Sequence, residues 1–247
     1  MIKLIDDLLA VISDGDVQQI VIGMHWTAVV IDVAGEIRCG LASTLMGSQP
    51  HGEVDVPQAG RLQQLAGQEL AMLAAADSLT LRSVGMAAIN ALLPPLPDQW
   101  QEINAEHVIA AAGKEKNVVL VGHFPFISRL RSQVGQLFVL EQNPGPDEYP
   151  AEAALELVPE ADVLAITSMT LLNGTLDELL ALRRKESRTL LLGPSTPMHP
   201  LLFDYGLEML SGATVTAIEP VLHLIQQGAV FRQVRQGGVR LVTMVRP

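Results

Sequence analysis

Small and hydroxyl-bearing residues follow two short apolar runs in the second half of the chain, 163–167 and 189–192. The residues are Thr167, Ser168, Asn173, Gly174, Thr175, Gly193, Pro194, Ser195 and Thr196. Their hydroxyls and amides can cap free N–H groups at a helix start, and such N–H groups also bind polar ligands at the carboxyl ends of parallel strands. Capping explains either turn alone, but two such turns at neighbouring strand ends favour a binding site.

A histidine follows an earlier apolar run, 117–121, in the motif Gly122-His123-Phe124-Pro125. Histidine titrates near neutral pH and can bind a ligand or act as a general acid or base, and the alternative is an ordinary buried side chain. Its position directly after a strand-ending glycine gives the functional role equal weight with the buried side chain, and the sequence leaves both open. Dinucleotide-binding folds place G-x-G-x-x-G at this point, so NAD or FAD is not an expected cofactor.

An acidic residue, Glu141, lies about 20 residues after Gly122, at the end of the next predicted strand. In nucleotide-binding folds an acid at this place holds the ribose hydroxyls. The alternative is a carboxylate that ends a strand in solvent, and the sequence leaves both open.

Three potential metal ligands alternate in a long loop of the first half: His51, Glu53 and Asp55. Carboxylates suit hard cations and imidazole suits zinc, but no second cluster of regular spacing accompanies them. A solvated loop, or one that covers a pocket, is therefore favoured over a metal site. We expect no closed protein metal site, and we expect His123 to meet an organic ligand or a divalent metal that this ligand carries.

Composition limits the classes of function. The 247 residues carry a net charge of −11, which argues against a nucleic-acid partner. No apolar run approaches the roughly 18 residues of a membrane span. The start of the chain lacks the layout of a signal peptide, and the lone Cys39 allows no internal disulfide, so a cytoplasmic location is expected. A soluble enzyme, a small-molecule-binding protein and an assembly subunit remain, and homo-oligomerisation is left open.

The apolar patterns differ between the two halves and predict an α/β fold. The first half has strands too closely connected for parallel crossovers, and a proline-rich stop at 94–97 follows them. Its predicted strands are 17–26, 27–31 and 37–42, and its predicted helices are 2–12, 61–76 and 83–92. We predict an α+β domain over 1–97 and a parallel-sheet domain over 98–247.

The second half alternates strands and helices, as expected of a parallel sheet. The predicted strands are 117–122, 137–141, 163–167, 189–192, 214–218 and 239–243, and the predicted helices are 105–112, 127–134 and 176–184. Because carboxyl ends of parallel strands share one edge, we expect Gly122, Glu141, Ser168 and Gly193 to meet at one cleft that faces the first half. Asn173 and Thr175 should lie on its wall.

Three segments of the second half, Gly122–Pro125, Ile166–Thr175 and Gly193–Pro197, resemble the putative heavy-metal chelation family. Two segments of the first half, Gly23–Ala28 and Gly85–Ala91, resemble the companion domain of that family. The resemblance implies an enolase N-terminal-like domain joined to a Rossmann-like domain, with an active site between them. Relatives often carry Thr-Gly where this chain has Thr167-Ser168.

These observations favour a cytoplasmic small-molecule-binding protein with an interdomain cleft, and they leave open whether it is an enzyme. The expected ligand is polar, anionic or heteroaromatic, and the resemblance links it to heavy-metal chelation or to a metal-chelating metabolite. Two alternatives stay open: an adenosyl-cofactor-dependent transferase, which only Glu141 supports, and a non-catalytic scaffold or regulatory subunit whose polar turns merely cap helices.

Overall fold

The strands of the protein form two separate sheets. A computed structural model describes residues 2–47 and 56–247. The smaller sheet is antiparallel, with order β1-β2-β3, and consists of Asp16–Ile22, Trp26–Val33 and Glu36–Ser43. Three helices accompany it: α1 (Ile2–Val11), α2 (Gly67–Met72) and α3 (Leu79–Leu92). The predicted antiparallel arrangement of the first half is confirmed.

The larger sheet has seven strands in the order β10-β9-β8-β7-β4-β5-β6. Its strands are β4 (Asn117–Val121), β5 (Gln136–Glu141), β6 (Tyr149–Pro150), β7 (Val163–Thr167), β8 (Arg188–Leu192), β9 (Met209–Val215) and β10 (Val239–Val245). Neighbouring strands run parallel except β10, which pairs antiparallel with β9. The mixed α/β fold class is therefore confirmed, with an antiparallel strand at one edge.

The order of this sheet reverses at β4. The chain first moves outward from β4 to β5 and β6, and then returns to place β7 on the other side of β4. In open α/β sheets, ligands bind outside the carboxyl ends of the strands at such a switch point. The fold therefore predicts a ligand site at the carboxyl ends of β4 and β7.

Helices cover both faces of the larger sheet. They are α4 (Ala105–Ala112), α5 (Ile127–Leu130), α6 (Ala154–Leu157), α7 (Met169–Asn173), α8 (Leu176–Leu182), α9 (Ile218–Gln226) and α10 (Phe231–Gln236). Alternate residues of β4 show the two faces: Val118 and Leu120 pack in the cluster that holds Ile109 of α4, whereas Val119 joins the largest core cluster. Continuous apolar strands of this kind are typical of a sheet buried on both sides.

The two halves share their packing. Val29 and Ile31 of β2 belong to the largest cluster, which also includes α3 and much of the larger sheet. Ala28 and Val30, on the opposite face of β2, pack in a cluster with Val221 of α9. A helix from the second half therefore covers the outer face of the first-half sheet. The domain limits at 97 and 98 stay a prediction, and the core extends across them.

Several predicted elements differ from the structure. The strand predicted at 214–218 is β9, which ends at Val215, and Ile218 begins α9. Proline is tolerated in the first helical turn, so Glu219-Pro220 marks a helix start there. The predicted helix 61–76 is divided into α2 and short 3-10 turns, and the predicted helix 127–134 shortens to α5. Among the described residues, no helix is long and apolar enough to span a membrane.

Candidate functional site

A cavity of about 930 Å³ opens at the carboxyl ends of β4, β5 and β7, at the switch point of the larger sheet. Helices α6, α7 and α8 supply its other walls. All described lining residues lie between 121 and 182. Six of the residues predicted from the sequence are among them: Gly122, His123, Glu141, Thr167, Asn173 and Thr175.

Gly122 lets β4 and β7 approach each other at the base of this cavity. Its φ angle is +105°, a region that residues with a Cβ rarely adopt. A Cβ on Gly122 would lie 2.8 Å from both Cβ and Cγ2 of Thr167. Both the backbone angle and the space therefore require glycine at the end of β4.

His123 is held by a carboxylate that the sequence reasoning missed. Its Nδ1 lies 2.7 Å from Oε1 of Glu148. The other oxygen of Glu148 accepts a hydrogen bond of 2.9 Å from the backbone N–H of Gly145. This backbone bond, and then the bond with His123, hold the pKa of Glu148 below its ordinary value. The one sequence signal for Glu148 is its position in a turn soon after β5, where Asp147 and Glu148 directly follow Pro144-Gly145-Pro146.

This contact determines which ring nitrogen of His123 is available. An ionised carboxylate only accepts hydrogen bonds, so Nδ1 of the neutral ring carries the proton and Nε2 keeps its lone pair. The side chain of His123 is 66% exposed, and no described residue forms a hydrogen bond with Nε2. His123 therefore presents an acceptor nitrogen where it lines the cavity.

The charged lining residues are acidic apart from His123. Glu141, Glu152 and Glu178 line the cavity, and its described lining contains no lysine or arginine. Apolar side chains form much of the remaining wall: Val121, Leu140, Leu155, Leu179 and Leu182. Like charges raise the free energy of an anion in such a site, so the anionic ligand expected from the sequence is disfavoured.

The turn 173–175 lines the cavity and also connects two helices. Oδ1 of Asn173 accepts hydrogen bonds from the N–H and the hydroxyl of Thr175, at 3.1 and 2.8 Å. Gly174 ends α7 in the left-handed conformation, with a φ angle of 84°. The two hydrogen bonds with Thr175 therefore occupy Oδ1 of Asn173, and no described residue forms a hydrogen bond with its Nδ2.

The other predicted turn lies away from this cavity, at the contact between the two halves. Ser195 is fully buried, and its Oγ accepts a 2.8 Å hydrogen bond from the backbone N–H of Ser43 on β3. The side-chain amide of Asn90 donates to the carbonyl oxygen of Ser195 at 3.2 Å. Because these bonds join the turn to the first half, the hydroxyl and the carbonyl of Ser195 are not free to form the wall of the strand-end cavity.

The remaining predicted residues do not line the cavity either. They are Phe124, Pro125, Ser168, Gly174, Gly193, Pro194 and Thr196. Phe124 stacks on Phe126 with ring centroids 5.2 Å apart, and Ser168 is buried, with its N–H donating to Leu192. Thr196 lines a separate cleft of about 170 Å³ between the halves, together with Asn90 and Trp100.

The expected position of the main cleft between the two halves needs correction. The described lining of the large cavity comes only from the second half. The turn after β8 instead packs against β3 and α3. His51, Glu53 and Asp55 lie outside the described residues, so their predicted role stays a prediction.

The described residues do not form a closed metal site. No three His, Cys, Asp or Glu side chains among them come close enough to share an ion. Burial raises the pKa of the Cys39 thiol to about 12, so near neutral pH this side chain is a neutral thiol and not a preformed thiolate ligand for soft heavy metals. His199, whose pKa burial lowers, accepts a hydrogen bond from the N–H of Leu201 at the start of a 3-10 helix.

Comparisons with known proteins agree with the sequence resemblance. A family model described as putative heavy-metal chelation matches residues 105–244, and a second model with the same description matches residues 5–93. The chain belongs to this putative heavy-metal chelation family. The resemblance stated from the sequence is thereby confirmed.

Two solved structures of this family are similar over the whole chain. A protein with unknown function from Desulfitobacterium hafniense is 25% identical, with a TM-score of 0.85, and the match covers 100% of this chain and 99% of that one. A protein with unknown function from Pyrococcus horikoshii is 20% identical, with a TM-score of 0.80 and coverage of 99% and 97%. An uncharacterized protein of Methanocaldococcus jannaschii is 26% identical over 210 residues, which cover 81% of this chain and 78% of the relative.

Proposed function

We propose that the protein binds an uncharged or positively charged organic ligand, with ring and hydroxyl groups, in the cavity at the ends of β4, β5 and β7. The observation that carries this proposal is a large cavity at the switch point whose charged lining is three glutamates and one histidine. The family description is putative heavy-metal chelation, and we propose that this ligand takes part in such chelation, either as a substrate or as a metal-chelating metabolite.

The size and surface of the cavity support an organic ligand. Small-molecule pockets are commonly about 300–1,000 Å³, with apolar walls and a few polar groups that fix orientation. Leu140, Leu179 and Leu182 offer contact for a ring, and Thr167 and Thr170 also line the cavity. The hydroxyl of Thr170 donates to the carbonyl oxygen of Thr167 at 2.7 Å. These groups suit a hydroxylated or heteroaromatic molecule better than a bare ion.

His123 supports a catalytic role as proton carrier. Its Nε2 is free among the described residues, and Glu148 orients the ring and stabilises the imidazolium that forms when Nε2 accepts a proton. Under this proposal a bound ligand would place an acidic O–H, N–H or C–H group against Nε2.

A thermal-shift screen tests the proposal. The compounds are adenosine, a pterin, riboflavin and Zn²⁺, with NAD as a doubly phosphorylated comparison. A specific ligand raises the melting temperature by mass action. We expect an uncharged ring compound to stabilise the protein and NAD to have no effect. Stabilisation by NAD that exceeds the effect of adenosine would contradict the proposed charge selectivity.

Substitutions then locate the binding. Glu178→Gln on α8 removes one lining charge and should weaken binding of a cationic ligand about two- to fivefold. Glu156→Gln is the matched control, since Glu156 is exposed on α6 and does not line the cavity. Equal affinities of the two variants for a cationic ligand would place that ligand elsewhere.

An adenosyl-cofactor-dependent transferase is a second candidate, and Glu141 favours it. If the larger sheet is of the Rossmann-like type, β4 and β5 are its first two strands, and Glu141 at the end of β5 holds the place of the ribose-binding acid. A sulfonium nucleoside also lacks the phosphates that the acidic lining disfavours. Under this candidate, Glu141→Gln weakens binding of S-adenosylmethionine and of adenosine alike. Unchanged nucleoside binding would remove the support.

The rival to both candidates is a non-catalytic scaffold. The hydrogen bonds of Asn173 stabilise the turn between α7 and α8, and the Ser195 turn joins the two halves. If no compound of the screen changes the melting temperature, the scaffold is favoured.

A further inference from the structure

The contact between His123 and Glu148 has the geometry of a metal-binding histidine. Histidines that bind metal through one ring nitrogen ordinarily donate the other N–H to a carboxylate, a backbone carbonyl or water, which fixes the ring and raises its basicity. Here Nδ1 is 2.7 Å from Glu148, and the N–H of Gly145 in turn fixes that carboxylate at 2.9 Å. Two successive hydrogen bonds thus hold the ring with Nε2 unused among the described residues.

The described residues nevertheless supply too few ligands for a bare ion. Structural zinc sites use four protein ligands and catalytic zinc sites use three. No such group exists in the described part of the chain, and the Cys39 thiol lies in β3, away from the lining of this cavity. A metal that meets His123 therefore needs the rest of its ligands from another molecule.

We propose that Nε2 of His123 binds the metal ion of a preformed complex, and that the organic chelator of this complex occupies the strand-end cavity. The inference rests on the proposed function, because the chelator is then the organic ligand of the cavity. The lone pair of Nε2 takes one coordination position and displaces a water molecule from the metal. No proton moves when the ring is neutral.

The charge of the lining agrees with this ligand class. A divalent ion bound to a neutral chelator keeps a charge of +2. The carboxylates of Glu141, Glu152 and Glu178 attract this charge, and the described lining contains no lysine or arginine. Leu140, Leu179 and Leu182 offer the chelator an apolar wall. The same cavity thus suits both the charge of the metal and the rings of an aromatic chelator.

Calorimetric titration with three probes tests the inference: the 1:1 complex of Zn²⁺ with terpyridine, terpyridine alone and Zn²⁺ alone. Terpyridine is a neutral planar chelator that leaves a coordination position of zinc open. We expect the complex to bind at least about tenfold more tightly than terpyridine alone. His123→Ala should reduce its affinity to that of terpyridine. Glu148→Gln should weaken it about tenfold, the usual effect of removing such a carboxylate partner.

His107→Ala is the matched control, since His107 is exposed on α4 and does not line the cavity. The inference is wrong if the complex does not bind at about 1 mM, or if its affinity equals that of terpyridine in the unmodified protein. Tight stoichiometric binding of Zn²⁺ alone, lost in the double variant His51→Ala, His123→Ala, would also overturn it, since the protein would then supply a closed site. Adenosine binding that persists when the zinc complex fails would leave the proposed function standing.

Discussion

Ser195 of the second half accepts a hydrogen bond from the backbone N–H of Ser43 in the first half, at 2.8 Å, and both residues are buried. The hydroxyl of Ser195 also donates to Oγ of Ser43, at 3.2 Å. The turn after β8 thus completes the hydrogen bonding of β3 where that strand ends. Its buried polar groups join the two sheets, whereas the cavity lies at the neighbouring ends of β4, β5 and β7.

Adjacent substitutions in this turn should have opposite effects on stability. Ser195→Ala leaves the buried N–H of Ser43 without a partner and should lower the free energy of unfolding by about 1–3 kcal/mol. Oγ1 of Thr196 is buried and has no hydrogen-bond partner among the described residues, so the isosteric Thr196→Val should be neutral or stabilising. Urea unfolding of both variants measures the difference. A loss in Thr196→Val as large as that in Ser195→Ala would contradict this account of the turn.

Substitution of Gly122 should lower the free energy of unfolding through a steric clash, in addition to the backbone strain at its positive φ angle. Gly122→Ala places a Cβ 2.8 Å from two atoms of Thr167, in addition to roughly 1–3 kcal/mol of backbone strain. Gly228→Ala is the control, since Gly228 also has a positive φ, 74°, but no atom within 4 Å of the added Cβ. Equal losses of unfolding free energy in the two variants would show that β4 and β7 can separate freely.

Much of the fold could be predicted from local patterns. A strand buried on both faces has a continuous apolar sequence, such as 163–167, and a polar turn follows it. The site was less predictable. Ser195 and Asn173 are both polar residues in turns after strands, and only contacts with Ser43, distant in sequence, place Ser195 at the contact between the halves. The contact between Glu148 and His123 depends on a loop conformation that cannot be predicted from the spacing of residues.

The stability of the protein should fall in acid partly through Glu148. Hydrogen bonds from Gly145 and then His123 keep its folded-state pKa below the ordinary value of 4.5. The stabilisation is therefore present above about pH 4.5 and is lost as the pH falls through the lowered pKa. Glu148→Gln should flatten the decline of unfolding free energy between about pH 5 and 3.

Part of the decline of unfolding free energy in acid should persist in Glu148→Gln. The pKa of Glu106 is lowered by its hydrogen bonds with Arg129, and the pKa of Asp162 by the N–H of Asn117 and by Arg184. Curves of identical slope for Glu148→Gln and the unmodified protein would mean that Glu148 gains nothing from its contacts on folding.

Cys39 should be nearly inert in the folded protein. Burial raises the pKa of its thiol to about 12, and only the thiolate reacts with disulfide reagents. At pH 8 we expect Ellman's reagent to react at least about 100-fold more slowly with the native protein than with the urea-unfolded chain. Comparable rates would show an accessible thiolate, and Cys39 would then have to be considered as a ligand for heavy metals.

We expect the ligand of this protein to bind at the ends of β4, β5 and β7. A crystal structure of the complex with the compound that stabilises the protein most in the thermal screen tests this position. We expect ligand density between Glu141 and Thr167, in contact with His123. Density in the 170 Å³ cleft beside Asn90 and Trp100 instead, with the strand-end cavity holding only water, would contradict it.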